Sequence, residues 1–369
     1  MKILMILDNL SCDSGVSTIV MNLYNKFDKN KIKIDFLIFK ENDNSYINTV
    51  KEKGSKVFCL KNPLNFKQSL SATLELKRFF KRNAKNYDIV HLHSPTLNEF
   101  TLKYAKKYGI KNRIIHSHST MMSNNKLKKF LHKILLKNIH KYANNYWACS
   151  TEAANFLYGK KFCDVHKIEI VKNAIEISKY RYSSINAEEL KKEYNMQDKM
   201  VVAHISNFSS IKNVMFLIPV IEEVVAVRKD IVFVFVGDGI TKIKIEKKIM
   251  EKKLEKYCMF IGRKDNIQNI LNVVDVIVLP SIKEGLPVVA VEAQANGILC
   301  LVSSSITREA DIGNIKFIPL NHKIWSDEII KIKPIPAEQR IKLCKHIDNT
   351  DFNIDREGKR IQEIYISMM

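Results

Sequence analysis

Residues Pro280–Gly297, PSIKEGLPVVAVEAQANG, follow a valine-rich run, Val273–Leu279, that reads as a strand buried in a parallel sheet. Pro280 and Gly285 end the strand in a loop. Pro287 suits the first turn of a helix, where its missing N–H costs nothing. A strand end, a glycine-containing loop and a helix N-terminus together form an anion site, because unpaired N–H groups and the positive dipole end face one point. Glu284 lies in the loop and Glu292 in the helix, eight residues on. Two carboxylates beside a phosphate site do not bind the phosphate. They suit hydroxyl groups on either side of it, as a nucleotide-sugar presents them.

Outward from this stretch, apolar runs alternate with helical patterns. Ile3–Leu7, Ile34–Phe39, Val57–Leu60, Ile89–Leu92, Ile114–His116 and Tyr146–Cys149 form one parallel α/β series. Val201–Ile205, Ile231–Val236, Met259–Ile261, Val276–Leu279, Ile298–Val302 and Lys316–Ile318 form a second. A chain of 369 residues fits two domains of ordinary size. The expected division is 1–175, 176–354 and a C-terminal helix, 355–369. No apolar run approaches the ~20 residues that span a bilayer. MKILMILDNL is short, carries Asp8 and reads as the first strand, not as a secretion signal. Seven scattered cysteines without a C-x-x-C pair fit a reducing cytoplasm and speak against zinc.

The net charge of +21 is unevenly spread. Residues 1–175 hold 31 Lys and Arg against 13 Asp and Glu, while the remainder holds 29 against 26. A one-sided excess points to an anionic partner for the first half; the alternative is a lysine bias with no partner.

The residues carry a resemblance. EGLPVVAVEAQANG resembles the E-x7-E element of the family 4 retaining glycosyltransferases, which have the GT-B fold. FVFVGDGITKIKIEKKIMEKKLEKYCMFIGRKDNIQNILNVVDVIVLPS resembles the segment preceding that element. DSGVSTIVMNLYNKFDKNKIKIDF resembles the glycine loop and first helix, and YDIVHLH and RIIHSHST the middle strands of the N-domain. The similarity runs from residue 1 to about 320 and is strongest to capsular and exopolysaccharide glycosyltransferases. It implies an α/β protein with two Rossmann-like parallel-sheet domains facing across a cleft, a retaining reaction, and a uridine diphosphate sugar as donor. The acceptor would be a saccharide or lipid-linked saccharide.

The resemblance implies roles for particular residues. Glu292 would bind the ribose hydroxyls, or else complement the helix dipole from its first turn, worth ~0.3–1 kcal/mol. Glu284 would meet the donor sugar, or be an exposed loop carboxylate. Gly285, Leu286 and Pro287 would line the diphosphate. In HISNFSSIKN, Lys212 matches the cation that offsets charge on the leaving diphosphate. Ser206 and Asn207 stand where the family has Gly and Arg, so another cation fills in, catalysis is slow, or the enzyme is impaired. Arg263 is the candidate substitute, its alternative being a solvated loop arginine. Gly15, with Ser14 before it, stands for the family's Gly-Gly loop, a weak signal alone. Gly237 and Gly239, in VGDGI, serve a tight turn near the donor.

His118, closing RIIHSHST, would point toward donor sugar and acceptor, with His116 as a core residue beneath it. His91 and His93 read as satisfied strand-end histidines. The four together lack a carboxylate or cysteine at ligand spacing, so a metal cluster is not expected. No two aspartates lie two apart, so the D-x-D metal motif is absent and catalysis without metal or other cofactor is expected. Lys126–Lys141, KLKKFLHKILLKNIHK, sets Leu127, Phe130, Leu131, Ile134, Leu135 and Ile139 opposite Lys126, Lys129, Lys133, Lys137 and His140. This basic amphipathic pattern suits an anionic bilayer surface; the commoner use is a core-packed helix with a solvated face. The expected location is cytoplasmic and peripheral on the inner membrane face.

Three other readings stand beside transfer. A nucleotide-sugar epimerase of similar fold would use the same donor pocket, and Asn207 permits a non-catalytic partner subunit. A nucleic-acid-binding protein would use the basic charge, but the basic residues lack interleaved aromatics, so no nucleic acid is expected.

Overall fold

Each valine- and isoleucine-rich run pairs with parallel neighbours. The computed structural model describes residues 1–12, 14–61, 69–93, 98–118, 139–264 and 266–369. The first sheet contains β1 (Lys2–Ile6), β2 (Lys33–Ile38), β3 (Val57–Cys59), β4 (Ile89–Leu92), β5 (Asn112–Ser117), β6 (Asn145–Ala148) and β7 (Glu169–Ile170). Their order is β3-β2-β1-β4-β5-β6-β7. The second contains β8 (Met200–Ile205), β9 (Ile231–Val236), β10 (Cys258–Gly262), β11 (Val276–Leu279), β12 (Leu299–Ser303) and β13 (Ile315–Ile318), in the order β10-β9-β8-β11-β12-β13. Both are doubly wound, with the strand order reversing at β1/β4 and at β8/β11. Ligands of such sheets bind beyond the carboxyl ends of the strands at that reversal.

The chain divides into two compact units, Met1–Ala174 with Ile354–Met369, and Ile175–Asn353. In the second, alternate strand residues serve opposite faces, as the two-residue strand period requires. Val202, Phe233, Phe235, Val276 and Val278 pack with the helix Leu217–Val227 and Trp325. Val201, Ala203, Val232, Val234, Ile277 and Leu279 pack with Ala290 and Ala293 of the helix Val288–Ala295. Burial on both faces explains why these strands read as unbroken apolar runs.

The first unit is completed by the C-terminal helix, Ile354–Ser367, whose Ile354, Ile361 and Tyr365 join the core of β1, β2 and β4. It crosses the helix Gly15–Lys26 so closely that a Cβ on Gly358 would lie 2.8 Å from the Lys26 Cβ. Glu357 on this helix is fully buried. Its carboxylate accepts from Arg360 Nε and Nη2, at 2.7 and 2.8 Å, and from the Lys172 backbone N–H at 3.1 Å. Arg360 also holds Glu169 and the Ile170 carbonyl, clamping the helix to β7.

All seven cysteines are free. No described helix is long and apolar enough to cross a membrane.

Removing the cation from a buried pair strands its anion. Arg360→Met is expected to cost about 2 kcal/mol, below the usual 3–5 for a fully buried pair because the guanidinium stays partly hydrated. Urea unfolding measures this, and adding Glu357→Leu is expected to restore most of the loss.

Candidate functional site

In the second unit the loops leaving β8 and β11 meet. The Ile282 backbone N–H donates to the Ile211 carbonyl at 2.9 Å. Asn213 adopts the left-handed conformation, φ 54°, and its Nδ2 donates to the Pro280 carbonyl at 3.2 Å. Across this stitch Lys212 Nζ donates to Glu284 Oε1 at 2.5 Å. Ser281 Oγ donates to the same oxygen at 2.8 Å. Both contacts fall on Oε1, which leaves Oε2 for a ligand hydroxyl. Lys212 keeps two further N–H groups for an anion. Lys212, expected on the diphosphate, and Glu284, expected on the donor sugar, are therefore an ion pair in the free protein.

The helix Val288–Ala295 begins one residue later than expected. Pro287 is its N-cap and not its first helical residue, and Leu286 is buried beside it. Gly285 sits in the same loop, half-buried. Glu292 is the fifth helical residue, in the second turn, and no acidic residue occupies the first. The dipole-complement alternative needed a first-turn position, so this placement corrects it. The Glu292 carboxylate is held by Tyr180, whose hydroxyl donates to Oε1 at 2.7 Å. Burial raises the Glu292 pKa above its ordinary value near 4.5, and the Tyr180 hydrogen bond works in the other direction.

Gly237 and Gly239 have a physical requirement. A Cβ on Gly237 would stand 1.9 Å from the Ser206 carbonyl oxygen, and one on Gly239 would stand 2.7 Å from the Phe208 nitrogen. Both have positive φ, 132° and 157°. They let the β9 loop press against the β8 loop, whose Phe208 N–H donates to the Asp238 carbonyl. Asn207 is exposed, and its Oδ1 accepts from the Ser209 hydroxyl at 3.2 Å. Arg263 is exposed beyond β10, the edge strand, two positions from β8 in the sheet.

His204 was passed over in the sequence. It is buried on β8, its Nδ1–H donates to the Val278 carbonyl at 2.8 Å, and its Nε2 lies 2.7 Å from Ser206 Oγ. The carbonyl partner fixes the tautomer, so Nε2 is an acceptor. Burial first, and Lys212 after it, push its pKa down to about 4, while the Val278 bond opposes them.

In the first unit four histidines converge at the carboxyl ends of β4 and β5. His91 Nε2 lies 3.2 Å from His116 Nδ1 with ring planes 10° apart. His93 Nδ1 lies 2.9 Å from His118 Nε2 with planes 27° apart. These are two in-plane hydrogen-bonded pairs. They stack on each other, His91 over His93 at 4.0 Å and His116 over His118 at 4.1 Å between ring centres. Tyr365, fully buried, lies 2.6 Å from His91 Nδ1. The tautomers follow. Among the described residues the one acceptor for the Tyr365 hydroxyl is His91 Nδ1, so His91 carries its proton on Nε2 and donates it to His116 Nδ1. His116 then carries its proton on Nε2, which has no partner among the described residues. Nor, among them, have His93 Nε2 and His118 Nδ1. This corrects the reading of His93 as a satisfied strand-end residue.

Burial, and then the neighbouring imidazoles, hold His91, His93 and His116 well below the ordinary value near 6.5. Burial alone pushes His118 down to about 4. The cluster is neutral at neutral pH. His91, His93 and His116 can each bring a ring nitrogen within 4.8 Å of the others. Nitrogens bound to one zinc at about 2.0–2.1 Å stand closer than that, with lone pairs converging on the ion. Here one lone pair of each pair is engaged by the partner ring and that of His91 Nδ1 by Tyr365, so the donor set as arranged does not fit a metal.

Gly15 opens the helix Gly15–Lys26 after β1, and Ser14 caps it through the Ser17 N–H. A Cβ on Gly15 would meet nothing within 4 Å. The weak glycine-loop signal therefore marks open space and not a strained turn. The Lys126–Lys141 pattern lies outside the described residues except at its end, where Ile139–Tyr142 form a short helix.

Residues 14–179 match Glycosyltransferase Family 4, and residues 186–313 match Glycosyl transferases group 1. The chain is 29% identical over 333 residues to the glycosyltransferase EpsF of Bacillus subtilis, spanning 86% of this chain and 84% of that protein. It is 24% identical over 322 residues to the UDP-Gal:alpha-D-GlcNAc-diphosphoundecaprenol alpha-1,3-galactosyltransferase of Escherichia coli, 82% and 80% of the two chains. It is 29% identical over 304 residues to the capsular polysaccharide biosynthesis glycosyltransferase CapH of Staphylococcus aureus, 77% and 78%. Among solved structures, Anabaena HepE in complex with UDP-glucose aligns with a TM-score of 0.81 at 14% identity, covering all of both chains. A Rickettsia africae glycosyltransferase aligns at 0.79 and 16% identity, covering 100% of this chain and 98% of that one. Two Rossmann-like units in this order are the GT-B fold.

Two outcomes follow from the protonation states. A carboxyl whose folded pKa is raised stabilises most at low pH, and that contribution is lost as pH rises through the folded value. Glu292→Gln is therefore expected to make urea stability less dependent on pH above about 4.5, the unfolded carboxyl value, with a gain at pH 7. For the histidines, nitrogen-15 NMR at pH 7 is expected to show His116 neutral and protonated on Nε2. Tyr365→Phe is expected to erode that preference; an unchanged tautomer would refute the relay.

Proposed function

The chain belongs to the family 4, group 1 glycosyltransferases, and we propose that it moves a sugar from a uridine diphosphate donor to a lipid-linked saccharide with retention and without a metal ion. The observation that carries this reading is the Lys212–Glu284 pair at the β8/β11 reversal, beside the N-terminus of the helix Val288–Ala295. The diphosphate sits on that helix start with two N–H groups of Lys212. Glu284 Oε2 accepts from a donor-sugar hydroxyl, and Glu292, oriented by Tyr180, accepts from the ribose. As the anomeric C–O bond to the diphosphate breaks and a bond to the acceptor oxygen forms, negative charge grows on the phosphate, whose leaving oxygen takes the acceptor's hydroxyl proton. Lys212 and the helix N–H groups stabilise it. Lys212 can follow that charge because Glu284 keeps its bond from Ser281 when it gives up the one from Lys212. Within the first unit, His118 Nδ1 and His116 Nε2–H are polar groups available to hydroxyls.

The donor class is supported by HepE, solved with UDP-glucose. The acceptor class is supported by the Escherichia coli relative, named for an undecaprenol-diphosphate acceptor, and by the basic first half. A lipid-linked acceptor implies work at an anionic membrane face, with Lys126–Lys141 as the contact, and a role in capsular or exopolysaccharide synthesis. Asn207 favours a second reading, a non-catalytic partner subunit, because diphosphate stabilisation has one cation fewer than the family pattern.

Transfer assays with a panel of uridine diphosphate sugars and polyprenol-diphosphate saccharides decide between these readings. Lys212→Ala is expected to lower kcat about 100-fold, on the scale of one lost charge-stabilising donor. Glu284→Gln is expected to raise KM for the donor. Chelator is expected to leave the rate unchanged, and Asn207→Arg to raise it. Sugar interconversion without transfer would establish the epimerase, and donor binding without either reaction would establish the partner subunit.

A further inference from the structure

We propose that the lysine-rimmed cavity at the amino ends of β1, β2 and β3 is a second ligand site, built for a compact anion bearing several phosphate groups. It lies at the end of the first sheet opposite the histidine cluster and has no part in the transfer chemistry. The cavity holds about 270 Å³. That is near the lower end of the usual 300–1,000 Å³ for small-ligand sites, roughly enough for a short phosphate chain and too small for an oligosaccharide.

Its cations come from three converging backbone segments. Lys2 and Lys33 are register partners at the first positions of β1 and β2. Lys53 and Lys56 flank the turn through Gly54, φ 84°, that leads into β3. Lys29 comes from the turn before β2 and lies over the Tyr24 ring, 3.2 Å from its centre, donating to the Tyr24 carbonyl at 2.6 Å. One carboxylate faces them, Asp35, and Lys2 already offsets its charge. It accepts from Lys2 Nζ at 2.8 Å, Tyr87 OH at 2.8 Å and the Lys56 N–H at 2.9 Å. Lys29, Lys33, Lys53 and Lys56 make no ion pair with any described residue; Lys53 reaches only the Asn25 amide oxygen, at 2.7 Å. Beneath the lysines two buried hydroxyls, Tyr24 OH and Ser55 Oγ, lie 2.9 Å apart. One hydrogen bond between them uses one hydroxyl hydrogen and leaves the other for a ligand oxygen.

The cluster bears the mark of uncompensated charge. Burial, and then Lys53, push the Lys29 pKa down to about 8. A phosphate chain would reverse the second cause and draw a proton onto Lys29 as it binds. The groups facing Lys29 are otherwise cationic or already engaged, namely Lys2, Lys33, Lys53, Lys56 and Asp35.

The test is calorimetric titration of the full chain with inorganic tripolyphosphate at pH 8 in about 0.15 M salt, a screening length near 8 Å. Two buffers of different ionisation heat report proton exchange. Binding that survives in Lys212→Ala is expected, with net proton uptake. Lys29→Met is expected to abolish the uptake and weaken binding at least tenfold, while transfer without tripolyphosphate is unchanged. Lys56→Gln, exposed and tied only through its backbone, is expected to weaken binding severalfold and guards against a folding defect in the first variant. No binding at this salt, binding lost only in Lys212→Ala, or equal binding by both cavity variants would overturn the proposal.

Discussion

Parallel sheets buried on both faces confine polar chemistry to the strand ends. In the second unit the helix after β8 packs on one face and the helix after β11 on the other. Two adjacent strands whose chains leave in opposite directions cannot close the space beyond them with backbone alone. Side chains must span it: Lys212 reaches Glu284 and Asn213 reaches the Pro280 carbonyl, while Ser281 braces Glu284 from within its own loop. The glycines of the β9 loop belong to the same arrangement, since they let the β8 loop settle low enough for Lys212 to reach across.

The two units treat polarity in opposite ways. The second keeps an ion pair half-open to solvent, so its charges stay available to an anionic ligand. The first keeps four imidazoles neutral by enclosure, and pairs them so that few ring atoms lack partners. A neutral array can meet hydroxyl groups as donor and acceptor without attracting phosphate.

The strands and their alternation were legible because a doubly buried strand has no polar face to obscure it. Glu284, Glu292 and Lys212 were found through the loop-and-helix pattern and the family resemblance. What escaped was pairing across distance. Tyr180 meets Glu292 over 112 residues, and nothing local to either announces it. The histidine spacing placed His91 with His93 and His116 with His118 on common faces, yet the cross-strand bonds depend on the register of β4 against β5. Tyr365 is 274 residues from His91 and reads as one more apolar position on a helix. Arg263 was proposed from its loop alone, and strand order, invisible in the loop, sets it at the sheet's edge.

Because the closing helix belongs to the unit that begins the chain, synthesis and folding are out of step. A ribosome releases β1 through β7 long before Tyr365 exists, and domains otherwise tend to fold in the order they emerge. Until the helix Ile354–Ser367 leaves the exit tunnel, Glu357 cannot seat, His91 lacks its hydroxyl and an apolar strip beside β1 stays bare. The first unit therefore waits, part-exposed, throughout the making of the second.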